Sequence, residues 1–93
     1  MRTIKRLGEF KRDYKRALRG LYGKTLEDDL KTVFKLLQFD QPLPKEYDDH
    51  QMRGDMKDLR NCHIHGDLVL LYRKVDADLL QLVRLGSHSQ LGI

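Results

Sequence analysis

Five consecutive apolar residues, Leu68-Val69-Leu70-Leu71-Tyr72, constrain the fold of this chain more than any other feature. Successive side chains of a strand point to opposite faces, so such a run is satisfied only where both faces are covered. It belongs in the middle of a sheet. Turn-forming triplets bound it, His65-Gly66-Asp67 before and Asp76-Ala77-Asp78 after, which predicts three strands: Asp58 to His65, Leu68 to Val75 and Leu79 to Arg84.

The N-terminal half has a different period. Thr3-Ile4-Lys5-Arg6-Leu7 alternates as a short first strand. Phe10, Tyr14, Leu18 and Leu21 then recur at helical spacing and predict a helix from Glu9 to about Tyr22, stopped by Gly23. Thr25 with Asp28 resembles an N-cap and its acid, opening a second helix whose apolar face is Leu26, Leu30, Val33 and Leu37. So short a connection predicts an antiparallel helical hairpin. Gln41-Pro42-Leu43-Pro44 ends it, because proline removes a donor, and a long connection from Asp40 to Asp55 carries His50. The order is β-α-α-β-β-β. This is an α+β fold, a helical hairpin packed on one face of a mainly antiparallel four-stranded sheet, with the other face open to a substrate. The 93 residues are expected to form a single domain, 1–93, around one modest core.

Composition narrows the function classes. An apolar share of 40% with two prolines does not suggest disorder. The lone cysteine, Cys62, has no partner for an intrachain disulfide and alternates away from its histidine neighbour, so it reads as a buried structural thiol in a reducing compartment. No apolar run approaches the ~20 residues of a membrane span, and the charged N-terminus lacks the apolar segment of a signal peptide. A cytoplasmic location without membrane partners is expected. The net charge of +4 is unevenly spread: residues 1–24 hold nine basic and two acidic groups (+7), the remainder nine basic and twelve acidic (−3). Lys11, Arg12, Lys15, Arg16 and Arg19 therefore become candidates for contact with RNA phosphates.

All four histidines, His50, His63, His65 and His88, lie beyond the helices. Strand parity puts His63 and His65 on one face with Asp67 across the turn, and puts Arg84 and His88 together if the chain stays extended through Gly86. His50, His63, Asp67, Arg84 and His88 could thus reach one patch. Neither Cys-x-x-Cys nor His-Glu-x-x-His is present, so no metal or other cofactor is assigned. A Ser–His–Asp hydrolase lacks its nucleophile segment. RNA carries its own nucleophile in the 2′-OH, and its cleavage needs a base, an acid and fixed positive charge for the crowded phosphorane. The candidate residues match that list. Each alone also has an ordinary structural explanation, and His65 reads as a turn neighbour.

These residues also carry a resemblance. Asp49-His50, the segment from Leu59 through Arg60-Asn61-Cys62-His63-Ile64-His65-Gly66-Asp67 to Tyr72, and Arg84-Leu85-Gly86-Ser87-His88-Ser89-Gln90-Leu91 are similar to YafQ-type toxins of the RelE/ParE superfamily. The likeness covers essentially the whole chain. It implies a bacterial type II toxin that cleaves mRNA in the A site of the 70S ribosome and is neutralised by a cognate antitoxin. It implies a catalytic set of His50, His63, Asp67 and His88, with Arg84 on the scissile phosphate. The chain departs from the family at three positions: Leu68 and Gly92 stand where aromatics are usual, and Asn61 where an acid is common. Loss of aromatics that could stack on a base is expected to weaken substrate positioning. Two other readings remain: a non-catalytic, ParE-like toxin that binds a protein target, and a weakened toxin that retains antitoxin binding.

Overall fold

The computed structural model describes all 93 residues, Met1–Ile93. The elements are β1 (Thr3–Arg6), α1 (Gly8–Leu18), α2 (Leu26–Gln38), β2 (His50–Gln51), β3 (Arg60–His65), β4 (Leu68–Lys74), β5 (Leu79–Ser87) and α3 (His88–Leu91). Single 3₁₀ turns lie at Lys45–Tyr47 and Gly54–Met56. The sheet has five strands in the order β1-β5-β4-β3-β2. Only the β1–β5 pair is parallel.

The apolar run holds the centre, as its composition requires. Leu68, Leu70 and Tyr72 join Phe10, Leu26, Leu30, Val33 and Leu37 in the core beneath the helices. On the other face Val69 and Leu71 pack with Leu59 and Leu91, flanked by Met52, Met56, Val83 and Ile93. That face is therefore partly covered, by the 40–55 segment and α3, rather than open as the helix count alone suggested. Fully burying each such side chain stabilises the fold by about 1.5–3 kcal/mol. No helix is long and apolar enough to cross a membrane.

The class expected from the pattern is present, and the differences lie at element ends. The fifth strand is β2, two residues that the loop reading of 40–55 passed over. α1 stops at Leu18, four residues early, because its end tightens into i→i+3 bonds from Arg19 to Arg16 and from Gly20 to Ala17. Leu21 consequently leaves the apolar face and is 89% exposed. The hairpin connection spans residues 19–25 rather than two or three. It doubles back so tightly that a Cβ on Gly23 would collide with the Leu18 carbonyl oxygen, so glycine is required there. Thr25 does not cap the backbone of α2; its hydroxyl donates to Asp29 Oδ2 at 2.9 Å.

Two β-bulges decide which side chains share a face. Between His63↔Val69 and His65↔Leu68 one extra residue, Ile64, enters β3. Parity reverses there, so His63 joins the Val69 face while His65 turns toward the helices with Leu68. The expected shared face of His63 and His65 does not exist. The second bulge inserts Val83 between Leu82↔Tyr72 and Arg84↔Leu71.

Candidate active site

The site grows from two chain reversals that meet. At the β3–β4 turn Gly66 takes φ +55°, and a Cβ there would collide with the Tyr22 hydroxyl. The Tyr22 ring also stacks on His65 at 4.5 Å, and His65 Nδ1–H donates to Asp29 Oδ2 at 3.1 Å. The connection between the helices and the first turn of α2 thus grip the turn that carries Asp67. At the other reversal Ser87 and Gln90 form a reciprocal capping box that starts α3, and Gly92 at φ +71° ends it. The chain stays extended through Gly86 as far as Ser87 but turns helical at the next residue, so Arg84 and His88 do not share a strand face. His88 is the first helical residue, and its ring swings across to Asp67.

There His88 Nδ1 lies 2.6 Å from Asp67 Oδ1. A carboxylate only accepts, so Nδ1 carries the proton and Nε2 is left without a protein partner. The hydrogen bond from His88 is the main reason that the Asp67 carboxyl titrates below its usual range, and the nearby His63 adds to it. The His63 ring meets His88 edge to face at 5.2 Å. His63, Asp67 and His88 therefore form one cluster.

His50 and Arg84 flank that cluster without bonding to it. His50 sits opposite Asn61, and Asn61 is two residues from His63 on the same strand, a spacing of roughly 7 Å. His50 Nδ1–H donates to the Asp48 carbonyl at 2.7 Å, which again leaves Nε2 unpartnered. Its strand is anchored next door, where Asp49 accepts from the Tyr72 phenol and pairs with Arg60 at 3.3 Å. Burial and the Asp49 carboxylate push the Tyr72 phenol well up, so it remains a donor. Arg84 stands opposite Leu71, and its Nε donates to Asp13 Oδ2 on α1 at 2.7 Å.

Several expectations change. Leu68 is only 7% exposed and belongs to the helix-facing core, so its departure from an aromatic concerns packing rather than base stacking. Asn61 is buried between the His50 and His63 positions, with Oδ1 unpartnered and Nδ2 against Met52 Sδ at 3.6 Å. Cys62 is fully buried, and burial pushes its thiol far up, which removes it from nucleophilic chemistry. Lys11, Arg12, Lys15 and Arg19 are exposed on or just beyond α1. Arg16 is exposed too but is bonded within the protein, donating to Asp13 at 3.1 Å and to the Leu85 carbonyl at 3.5 Å. Nothing in the residue order singles out Asp13, which enters there only as a charge offsetting the basic segment. The Ser87-x-x-Gln90 spacing is a legible sign of α3 that strand parity alone overlooks.

Comparison with known proteins places this geometry. The family model for the bacterial toxin of type II toxin–antitoxin system, YafQ, matches residues 2–92. The mRNA interferase toxin YafQ of Escherichia coli K12 is 32% identical over 90 residues, covering 97% of this chain and 95% of that one. A YafQ toxin of Haemophilus influenzae is 47% identical over 55 residues, a match spanning 56% of this chain and 54% of that protein. Among solved structures, the E. coli DinJ–YafQ complex superimposes with a TM-score of 0.81 at 33% identity, covering 98% of both chains. A metal-bound toxin from Helicobacter pylori gives a TM-score of 0.82 at 38% identity over 98% of this chain and 99% of that one. A whole-length family match, a superimposable fold and two-sided coverage agree, and the chain belongs to the YafQ toxins of type II toxin–antitoxin systems.

Proposed function

We propose that this toxin is a ribosome-dependent endoribonuclease that cleaves mRNA in the ribosomal A site by metal-free acid–base catalysis. The observation that carries the reading is the Asp67–His88 pair at 2.6 Å with His63 edge-on beside it. Cleavage requires the 2′-oxygen to lose its proton and attack the adjacent phosphorus. The 5′-oxygen then leaves with a proton, giving a 2′,3′-cyclic phosphate and a free 5′-hydroxyl. His88 and His50 both have Nδ1–H fixed by an acceptor, so each presents Nε2 for proton transfer. Asp67 stabilises the imidazolium form of His88. His63 orients the phosphate, and Arg84 offsets charge on the phosphorane.

The H. pylori relative raises a metal as the competing reading. Here Asp67 Oδ1 and His88 Nδ1 are engaged with each other, and no three His, Cys, Asp or Glu side chains lie where one ion could reach them. Cleavage should therefore persist in EDTA once the ribosomes' own magnesium is restored.

The basic face of α1 would hold ribosomal RNA, and the cytoplasm is where ribosomes are met. The cognate antitoxin has a fitting surface too. Between α1 and α2 runs a groove of about 570 Å³ floored by Phe10, Tyr14, Leu30 and Phe34 and edged by Lys11, Lys15 and Lys31. An acidic amphipathic segment suits it, and would cover two of the lysines offered to RNA. The deciding experiment maps 5′ ends of mRNA on translating ribosomes. Wild type should leave 5′-hydroxyl ends inside A-site codons, and His88→Ala should cut about 10²–10⁴-fold more slowly. Equal cutting by both would sink the acid–base assignment, as would growth inhibition that survives every histidine substitution, which a ParE-like protein binder would show.

A further inference from the structure

Asp13 is the only charged residue in the buried set, 4% exposed, and the proton-transfer chemistry makes no use of it. A carboxylate out of water must be fully paired, and this one is. Oδ2 accepts from Arg84 Nε at 2.7 Å and from the Leu85 backbone N–H at 2.9 Å. Oδ1 accepts from Arg16 Nη2 at 3.1 Å and from Arg84 Nη2 at 3.4 Å. Glu9 Oε2 adds a second carboxylate 3.5 Å from Arg84 Nε.

The local backbone explains part of this. β1 ends at Arg6, opposite Leu82, so the edge of β5 beyond it is left with an unmet N–H at Leu85, and α1 crosses there. Fastening α1 to that edge uses the Leu85 N–H, and burial calls for further donors, of which Arg16 supplies one. Neither need dictates that both Nε and Nη2 of Arg84 turn to the same carboxylate. A guanidinium held by one edge is fixed in plane and rotamer, with its Nη1 edge left over. That is the arrangement required of an arginine that must meet a phosphate without first losing side-chain freedom.

We propose that Asp13 is a positioning residue: by gripping the Nε–Nη2 edge of Arg84 it presents the Nη1 edge to the scissile phosphate, and through Arg16 it ties that arginine to the basic face of α1. The proposal rests on the reading of Arg84 as the phosphate-binding residue. Arg84 is also held more firmly protonated by Asp13, consistent with the pairing.

A double-mutant cycle in single-turnover cleavage on programmed ribosomes tests it. Arg84→Ala should slow cleavage strongly. Asp13→Asn should lower the cleavage rate constant about 10–100-fold, with half-saturating toxin concentration changed less than about 3-fold. In the Arg84→Ala background, Asp13→Asn should cost nothing further, because its effect passes through the missing guanidinium. Multiplying losses would overturn the inference and leave Asp13 a structural staple. Arg84→Ala cutting like wild type would overturn the phosphate reading of Arg84 itself, a distinguishable failure. Should Asp13→Asn not fold, the grip itself is tested in the wild-type protein: the Arg84 Nε–H resonance should exchange with water at least tenfold more slowly than those of Arg12 and Arg19, and equal exchange would overturn the proposal.

Discussion

An imidazole bonded through Nδ1 to a carboxylate has one tautomer when neutral and a stabilised charge when protonated, so it can serve as base or acid from one position. His88 is so held. Asp67→Asn keeps an acceptor for Nδ1–H but removes the charge that favours imidazolium. It should slow cleavage by about 10-fold or more, less than His88→Ala. The pH dependence follows from the sign of the shift. The Asp67 carboxyl is depressed from 3.8 in the folded protein, so the pairing is fully present above that value and is lost only as pH falls through the lower one. Long-range ¹H–¹⁵N spectra should show the His88 Nδ1–H locked at pH 5 and down to 3.8, and released only below it, as the depressed Asp67 carboxyl takes up its proton. Release between pH 6 and 5 would contradict the pairing. His65 makes a comparable bond to Asp29, yet the Ile64 bulge directs it to the helix side. Its loss should loosen the turn without removing a proton-transfer group.

The element that positions Asp67 is the β3–β4 turn, and it invites a packing test. Gly66→Ala forces a β-carbon onto a residue at φ +55°, which costs about 1–2 kcal/mol for an L side chain, and it drives the Tyr22 ring off His65. Urea unfolding should report that loss. Tyr22→Phe in the same chain should restore only part of it, since removing the hydroxyl relieves the closest contact but leaves Cζ at 2.8 Å and the backbone strain. Full restoration would mean that φ contributes nothing. Ser87→Ala should cost about 1 kcal/mol through the lost cap and should slow cleavage, because His88 begins the helix that Ser87 caps. The same elements show what is legible in the residue order. Leu68–Tyr72 announces a central strand because apolar residues on both faces admit no other place, and the helical spacing of Leu26 to Leu37 is equally explicit. Bulges leave no such mark. Ile64 is as apolar as any strand residue, so only the pairing of β3 with β4 reveals that His63 and His65 part company. β2 is invisible for another reason: two residues have no measurable period, and His50 owes its place to Asn61 across the ladder. The membership of His50, His63, Asp67, Arg84 and His88 came from residue type and resemblance. The role of Asp13 came from neither, because a single aspartate among lysines and arginines reads as solvent-facing until the fold buries it.

At the scale of the molecule, positive charge is concentrated in the N-terminal segment. The +7 of residues 1–24 is spread over β1, α1 and the turn after it, and only its C-terminal part, with Arg16 at Gly86 and Tyr22 at Gly66, reaches the proposed catalytic cluster at the ends of β3, β4 and β5. Binding and chemistry should therefore be separable. Lys11, Arg12 and Lys15 are exposed and make no ion pair in the protein, whereas Arg16 is committed to Asp13. Replacing the first three together by glutamine should leave the folded state and the saturated cleavage rate nearly unchanged while weakening ribosome association. Removing one phosphate-bound cation should reduce the slope of log K against log salt by about 0.7–0.9, so the triple change should flatten it by about 2–3 if all three residues touch phosphates. Affinity of wild type and variant should converge as salt rises, because screening removes the same interactions that the substitutions remove. A parallel offset at every salt concentration would instead mean that the variant had lost shape or packing. In that case the basic face of α1 would be a solubility feature, and the RNA-binding groups would have to be sought on the sheet face that carries the histidines.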